Sequence, residues 1–462
     1  MAVKKITIED LFNLPGAVIY NPDGYKSTKY VSIDSRKIKK GSIFFAIKGE
    51  KFDGHNFVKE AIKKGAGCVV ISKRQLKKFD NVNVTIVTVN DTTKAYGELA
   101  NTWRKKLGLI VVSLTGSNGK TTTKEITATL LAEKYKVIKT EANNNNHIGV
   151  PLTIFNANEK TDVLVLEHGT NHFGEIEYTA KIAQSDFAFI TNIGNAHLEF
   201  LKNKEGVLKE KLSLLKETEK CGGKVMINVD DPLLRKTAKQ FKNKYTFGFT
   251  RTPDVKGEII GFTIDGRTKV SARNGFKNLK AVLPVYGVAN AKNFLPAYVV
   301  AIKLGLTKKQ ILSGIQKLKS VNGRLKLKEL KNIILVDDTY NSNPESVKNG
   351  IELVNNIKIY DRKILVMGDM FELGTKSKKL HEELAQFISP RKISDVYLIG
   401  KYMKHLQSKL VKTKVNSKYF SSRKQLAGFL AKNNLENSVM LFKGSRGMHM
   451  EEFLQVTESK AK

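Results

Sequence analysis

Leu109-Ile-Val-Val-Ser-Leu-Thr-Gly-Ser-Asn-Gly-Lys-Thr-Thr-Thr-Lys-Glu-Ile126 places three kinds of sequence end to end. Residues 109–114 are apolar and mostly β-branched, the pattern of a buried strand. The run breaks at Thr115-Gly116-Ser117-Asn118-Gly119-Lys120-Thr121, and a helical apolar pattern follows through Ile126, Leu130 and Leu131. Strand, Gly-rich loop, Lys-Thr and helix together make a phosphate cradle. The glycines let backbone N–H groups turn toward an anion, and the helix N-terminus adds partial positive charge. Lys120 can reach the β- and γ-phosphates, and the Thr121 hydroxyl can ligate Mg²⁺. A bare Gly-Lys-Thr is often a solvated turn; the strand before it and the helix after it favour a nucleotide. The loop departs from the strict P-loop pattern, which has Gly where this chain has Leu114.

The chain has 462 residues, enough for two to four domains with substantial cores. It has no apolar run long enough for a transmembrane helix, and Met-Ala-Val-Lys-Lys-Ile-Thr-Ile-Glu-Asp at the N-terminus does not read as a signal peptide. Membrane insertion is therefore not expected. Two cysteines, Cys68 and Cys221, make neither a disulfide framework nor a metal cluster. Both read as buried free thiols in a cytoplasmic protein. The formal charge of +35 would suit a nucleic-acid binder. However, only 12 of the 79 basic residues are Arg, the residue suited to bidentate contacts, and the lysines are scattered. A solvated lysine-rich surface is the better reading, with no specific nucleic-acid partner. The field would still draw anionic small substrates.

In chain order, residues 1–106 read as a small α/β domain. Val31-Ser32-Ile33 is a strand entering the polar turn Asp34-Ser35-Arg36, and residues 41–47 form a turn and a second strand. Asp53-Gly54-His55 is a turn, residues 57–64 begin a helix, and residues 68–71 and 82–89 are strands. Asp91 suits the N-cap of a helix running through Trp103. Residues 107–318 form the nucleotide-binding domain. Past the phosphate loop, an Asn run at 143–146 precedes His147-Ile-Gly-Val-Pro151. A strand over 162–166 ends at Glu167, and an acid at the carboxyl end of such a strand faces the ligand crevice. A second strand, 187–190, leads to His197 in a loop bordering the same crevice. A helix over 204–215 carries Lys211, by position alone a solvated lysine. Residues 222–275 read as strands and turns, and Gly287-Val-Ala-Asn290 starts another helix. Residues 319–462 form a third α/β domain. Strands at 333–336, 363–367, 396–399 and 439–442 end in polar loops and are mostly followed by helices, the mark of a parallel, doubly wound, Rossmann-like sheet. No Gly-x-Gly-x-x-Gly follows any of them, which argues against a dinucleotide.

The Thr-Gly-Ser-Asn-Gly-Lys-Thr-Thr-Thr loop resembles the phosphate loop of the Mur ligase family. The resemblance extends through Asp34-Ser35-Arg36, Asp53-Gly54-His55, the Asn143–Asn146 run, Asp337-Asp-Thr-Tyr-Asn-Ser-Asn-Pro344, Gly368-Asp-Met-Phe-Glu-Leu-Gly374 and Lys443-Gly-Ser-Arg-Gly447. It implies three α/β domains: a small UDP-substrate domain, a central P-loop ATPase domain with a mostly parallel sheet, and a C-terminal ligase domain. By the family pattern ATP lies at Gly116, Ser117, Asn118, Gly119, Lys120, Thr121 and Thr122, with Asn290, Arg324 and Asp338 contributing. Ala289 stands where the family usually has His beside that Asn. Mg²⁺, two ions in all, would be held by Thr121, Glu167, His197 and Lys211, the lysine as a carbamate. Lys120, Glu167, His197 and Lys211 would form the catalytic set. Ser35, Arg36, Asn145 and Asn146 would take the UDP-linked substrate, and Asn341, Asn343 and Ser445 the amine substrate.

The third-domain loops most resemble those of the member joining D-alanyl-D-alanine to UDP-N-acetylmuramoyl-tripeptide. The resemblance therefore implies a cytoplasmic, monomeric, ATP-dependent amide ligase of peptidoglycan precursor synthesis, working through an acyl phosphate. A sister ligase adding a single amino acid is the nearest alternative. A nucleic-acid-stimulated P-loop ATPase is the alternative from charge alone, and the intact Lys120, Thr121, Glu167 and His197 speak against an inactive binding protein.

Overall fold

The computed structural model describes residues 3–195, 198–275 and 277–461. Three sheets follow one another along the chain. The first contains β1 (Val18–Tyr20), β2 (Val31–Ser32), β3 (Ser42–Phe45), β4 (Ala66–Ser72) and β5 (Thr85–Val89), in the order β1-β5-β4-β3-β2. Only β1 runs antiparallel to its neighbour. Alternate side chains enter different cores, as a period of two requires. Phe45, Val70 and Val87 face one side, whereas Phe44, Val69 and Ile86 face the other.

The helix Thr92–Leu107 joins this sheet to the second. Asp91 caps it, accepting the N–H groups of Thr93 and Lys94 at 2.9 and 3.0 Å, as the sequence predicts. Its Tyr96, Leu99 and Trp103 lie in one core with Phe45 and Val87 of the first sheet, Val111 and Leu164 of the second, and Ile154 of the helix Gly149–Phe155. The Trp103 indole N–H donates to the Ala157 carbonyl (3.1 Å), and Asn101 donates to Ile182 (2.7 Å). The buried Trp103 and Asn101 side chains on this helix thus find their acceptors on the second sheet's side of the joint.

The second sheet contains β6 (Ile110–Thr115), β7 (Val137–Lys139), β8 (Val163–Glu167), β9 (Phe187–Ile190), β10 (Lys224–Asn228), β11 (Lys244–Gly248), β12 (Val255–Phe262), β13 (Arg267–Asn274) and β14 (Lys277–Tyr286). Their order is β14-β13-β12-β11-β10-β9-β6-β8-β7, parallel from β7 to β12 and antiparallel beyond. β6 lies inside the sheet. Val112 and Leu114 pack on the helices Lys120–Leu131 and Val288–Lys303, whereas Val111 faces the first sheet's core. The strand's apolar run therefore reflects burial on both faces.

The third sheet contains β15 (Lys326–Leu330), β16 (Ile333–Asp338), β17 (Arg362–Gly368), β18 (Asp395–Ile399), β19 (Asn416–Phe420) and β20 (Ser438–Lys443). Its order is β15-β16-β20-β17-β18-β19, with β15 alone antiparallel. Ile334, Val336 and Leu365 meet the helix Pro344–Asn356 on one face. Ile333, Leu335 and Ile364 meet the helices Arg423–Lys432 and Glu451–Ala461 on the other. This is the doubly wound arrangement expected, and the four anticipated strands are its interior.

Several details differ from expectation. The edge strands β1, β15 and β19 were not anticipated; each is short or largely polar because an edge buries little. The last strand of the first sheet begins at Thr85, so residues 82–84 stand outside it. The stretch 222–275 contains a helix, Pro232–Thr237, whose Asp231 N-cap accepts the N–H groups of Leu233 and Leu234 (2.9 and 3.1 Å). Cys68 is buried as expected, but Cys221 is exposed, because it ends the helix Lys204–Lys220 just before the surface turn at Gly222. Among the described residues no helix is long and apolar enough to cross a membrane.

Candidate active site

The phosphate loop leaves the carboxyl end of β6 and opens the helix Lys120–Leu131. Its two glycines are required by shape. Gly116 has φ +153°, and a Cβ there would stand 1.8 Å from Thr191 Oγ1. Gly119 has φ +80°, and a Cβ would stand 2.2 Å from Asn293 Oδ1. Any side chain at either point collides with the neighbouring segment or forces it away. The loop is held from the end of β9: Ser117 N–H donates to the Asn192 carbonyl (3.0 Å), Asn118 N–H to Asn192 Oδ1 (3.0 Å), and Thr191 Oγ1 to the Asn118 carbonyl (2.6 Å). Gly194 N–H donates to Ser117 Oγ (2.8 Å). These bonds fix the loop before any anion arrives. Lys120 Nζ donates back to the Gly116 carbonyl (2.9 Å), so it lies folded over the cradle. Burial lowers its pKa; the nearby Glu167 opposes this and Arg324 adds to it.

A cleft of about 400 Å³ opens over this loop. Ser117, Asn118, Gly119, Lys120, Thr121 and Thr122 line one wall, with Glu167, Asn145 and Asn290 beside them. The third sheet supplies the other wall: Asp338 from the end of β16, Asn341, Asn343 and Ser445 from its loops, and Arg324 from the segment leading into it. The structure therefore brings most of the predicted residues into one space. Gly116 forms the buried floor just behind it.

Glu167 ends β8, and 2 % of its surface is exposed. Oε1 accepts a hydrogen bond from Asn145 Nδ2 (3.0 Å), whereas Oε2 is buried without a partner. A buried carboxylate oxygen left unpaired is costly, and an oxygen donor of this kind suits Mg²⁺. Together with the Thr121 hydroxyl it fits the predicted ion. Lys211 is 1 % exposed, which excludes a solvated helix face. Its pKa is pushed well down, first by burial and then by the charge of Lys120, with Glu210 and Glu167 opposing. Lys211 thus shares the electrostatic neighbourhood of Lys120 and Glu167. His197 lies outside the described residues.

Asp338 behaves differently. Its Oδ1 accepts the Leu325 N–H (3.3 Å) and its Oδ2 accepts from Lys443 Nζ (2.6 Å), which also donates to the Asn341 carbonyl (3.0 Å). Burial raises the Asp338 pKa and the Lys443 charge opposes it. Lys443 was not picked out from sequence, because its partner lies in a strand distant along the chain. Arg324 stacks over Tyr340, its guanidinium carbon 4.2 Å from the ring centroid. Asn343 caps the helix Pro344–Asn356 through Ser346 N–H (2.9 Å) and donates to Asn118 Oδ1 of the phosphate loop (2.6 Å). Asn195 reaches Glu345 (3.3 Å) beside it. These contacts seat the third sheet's helix on the cradle. Ser342 Oγ, in the same wall, is buried without a partner, a second unsatisfied group turned to the cleft.

Other predicted residues are not at the cleft. Asn146 accepts the N–H groups of Ile148 and Gly149 (3.1 and 2.9 Å) and starts the helix Gly149–Phe155. Ser35 donates to Glu60 (3.1 Å), and Arg36 forms a two-point pair with Asp34 (both bonds 2.9 Å) on the first sheet. Asn290, by contrast, does line the cleft; its side chain donates to the Tyr286 carbonyl (2.8 Å) and accepts from Asn293 (3.3 Å). Lys292, Asn293, Phe371, Glu372 and Arg446 line the cleft and were not picked out as site residues.

Comparisons with known proteins agree along the chain. Models described as Mur ligase family, catalytic domain, Mur ligase middle domain, and Mur ligase, glutamate ligase domain match residues 27–104, 114–301 and 323–446. The UDP-N-acetylmuramoyl-tripeptide–D-alanyl-D-alanine ligase of Bacillus subtilis is 32 % identical over 458 residues, 98 % of each chain. That of Haemophilus influenzae is 35 % identical over 445 residues, 94 % of each. Among solved structures, MurF from Acinetobacter baumannii superposes with a TM-score of 0.88 over 100 % of both chains at 27 % identity. MurF ligase from Thermotoga maritima in complex with ADP gives 0.82 at 30 % identity, covering 94 % of this chain and 97 % of that one.

Proposed function

The chain belongs to the Mur ligase family, and from that premise we propose that it is the ATP-dependent ligase joining D-alanyl-D-alanine to UDP-N-acetylmuramoyl-tripeptide in peptidoglycan precursor synthesis. The observation that carries the reading is the cleft itself, where a phosphate cradle meets the loops of a separate sheet. That arrangement suits a nucleotide on one wall and an acceptor on the other. The working units are residues 1–106 for the UDP-linked substrate, 107–318 for ATP and 319–462 for the acceptor. The enzyme is read as cytoplasmic and monomeric.

In this reading the loop N–H groups and Lys120 hold the ATP phosphates, Lys120 exchanging the Gly116 carbonyl for phosphate oxygens. Thr121 and Glu167 would hold one Mg²⁺, and His197 with Lys211 a second. When bound, such ions offset the repulsion between an anionic nucleophile and the γ-phosphate. The tripeptide's terminal carboxylate attacks the γ-phosphorus, ADP leaves, and an acyl phosphate forms. The dipeptide amine then attacks the acyl carbon, phosphate departs and an amide remains. Arg324 closes over the nucleotide, while Asn341, Asn343 and Ser445 border the dipeptide. Ser35, Arg36, Asn145 and Asn146 keep the role of UDP-substrate contacts. Closing of the third sheet's wall would exclude water from the acyl phosphate.

Lys211 enters as a carbamate. Its neutral amine attacks CO₂, forming an N–C bond and releasing one proton, and the product is an anionic oxygen ligand. The pull of burial toward the neutral amine favours that reaction. The test of the whole reading is phosphate release with ATP, the UDP-tripeptide and D-alanyl-D-alanine, omitting each in turn. Release should require all three. Full release when single amino acids replace the dipeptide would indicate a sister ligase.

A further inference from the structure

The two groups read as holding the first Mg²⁺ stand on different elements. Thr121 lies in the first turn of the helix Lys120–Leu131, and Glu167 ends β8. Mg²⁺ demands near-ideal octahedral geometry, with bonds of about 2.0–2.1 Å, so the spacing between helix and strand has to be held closely. The helix meets the core through Ile126, Leu130 and Leu131. Apolar burial is non-directional and does not by itself define that spacing.

Three residues beyond Thr121, and so on the same side of the helix, stands Lys124. It is 1 % exposed, which excludes a solvated helix lysine. Its Nζ donates to the Thr140 carbonyl (2.5 Å) and pairs with Glu125 Oε1 (3.1 Å). Glu125 is in turn tied to Lys139, the last residue of β7. Thr140 follows at once and is buried. Its N–H donates to the Val165 carbonyl of β8 (3.0 Å), and its Oγ1 accepts the N–H of Glu167 itself (3.0 Å). Five residues on, Asn145 donates to Glu167 Oε1 (3.0 Å), and its carbonyl accepts the Gly169 N–H (2.8 Å). The segment 140–145 therefore holds the acid by main chain and by side chain. Lys124 fastens the first residue of that segment to the helix that carries Thr121.

A buried ammonium group is a costly filler. Taking a charge out of water is unfavourable, and replacing buried ions by apolar side chains of similar volume is often neutral or stabilising. What Leu or Met could not supply is a directed, charge-assisted hydrogen bond from one element to the other. We propose that Lys124 is a positioning residue for the first metal site, setting the distance between the Thr121 hydroxyl and the Glu167 carboxylate. The assignment rests on the function proposed above, in which those two groups hold Mg²⁺ with ATP. Lys124 stands behind the cleft, outside its lining, and acts through Thr140.

Titration calorimetry on the full chain tests it without turnover, with a non-hydrolysable ATP analogue and MgCl₂ as probes. Lys124→Met keeps the length of the side chain and removes its charge and donors. Thr140→Val keeps the shape and removes the oxygen that receives the Glu167 N–H. In both, the Mg²⁺ affinity of the analogue complex should fall by about tenfold or more, the scale seen when a partner of a metal ligand is lost. Affinity for the analogue in EDTA should stay within about twofold, as should the KM for D-alanyl-D-alanine, while kcat falls with the Mg²⁺ affinity. A merely structural lysine would lower the melting temperature and leave the Mg²⁺ affinity of the folded protein unchanged. That result for Lys124→Met overturns the assignment, and unchanged Mg²⁺ affinity in Thr140→Val overturns the route through Thr140. A loss of analogue affinity in EDTA as large as the loss of Mg²⁺ affinity also overturns it. If Lys124→Met does not fold, Lys124→Gln, which keeps a neutral donor on a shorter stem, is judged by the same criteria. A wild-type chain that releases no phosphate with D-alanyl-D-alanine overturns the ligase reading, and the Mg²⁺ titration still decides the role of Lys124.

Discussion

Glu167 and Asp338 occupy corresponding places: each ends a strand of a parallel sheet, and each lines the same cleft. Their oxygens fare differently. Glu167 Oε2 is buried with no partner, whereas both Asp338 oxygens are engaged, one by a backbone N–H and one by Lys443. Position at a strand end is therefore insufficient to assign a role; the state of each oxygen divides them. In the proposed function the unsatisfied acid belongs to the reacting centre, where a bound ion would complete it. The saturated acid is a joint, fastening β16 to β20 and to the segment that carries Arg324. Substitutions on the two sides of the cleft should accordingly separate chemistry from stability.

The largest effect is expected at Lys120, beside the unsatisfied acid. Lys120→Ala should lower turnover on the order of 10⁴-fold, about 5.5 kcal/mol of transition-state stabilisation, with the circular-dichroism spectrum and melting temperature preserved. Turnover within about tenfold of wild type would remove Lys120 from the chemistry. On the joint side, Lys443→Met leaves Asp338 buried without its ion partner. Denaturant unfolding should register a loss of about 3–5 kcal/mol, and a change below about 1 kcal/mol would erase the contrast between the two acids.

Next come the residues assigned to metal. Glu167→Gln and Lys211→Ala should each lower turnover by about 10²-fold, near 2.7 kcal/mol. Glu167→Gln should leave stability unchanged or raised, because it removes a buried charge lacking a full set of partners. Destabilisation as large as that of Lys443→Met would show the two acids to be alike. A short carboxylate added to Lys211→Ala should restore part of the activity, whereas Lys211→Arg stays inactive; full activity of Lys211→Ala in CO₂-free buffer refutes the carbamate. The smallest effect is at the seam. Asn343→Ala removes a helix cap, costing about 1 kcal/mol of stability, and should raise the KM for the dipeptide more than that for ATP. The opposite order would move Asn343 to the nucleotide side.

What the sequence disclosed follows from burial. β6 and the interior strands of the third sheet are covered on both faces, so their apolar runs stand out. β15, reading Lys-Leu-Lys-Glu-Leu, and β19, reading Asn-Ser-Lys-Tyr-Phe, are edges whose polar residues disguise them. The phosphate cradle was legible because its parts adjoin in sequence. Lys443 was not, since its bond to Asp338 joins neighbouring strands of one sheet from distant parts of the chain. Lys211 was indistinguishable by composition from dozens of surface lysines, and only the family pattern separated it.

The helix Thr92–Leu107 has a consequence for how the chain is made. Its apolar face is shared between sheets, and the Trp103 indole N–H and the Asn101 amide find their acceptors at Ala157 and Ile182. During synthesis the first sheet can therefore assemble but cannot finish. Trp103 must wait for Ala157, about 3–11 s later, and Asn101 for Ile182, about 4–16 s later, at ordinary elongation rates. Through that interval the nascent chain presents an open indole and its leucine neighbours.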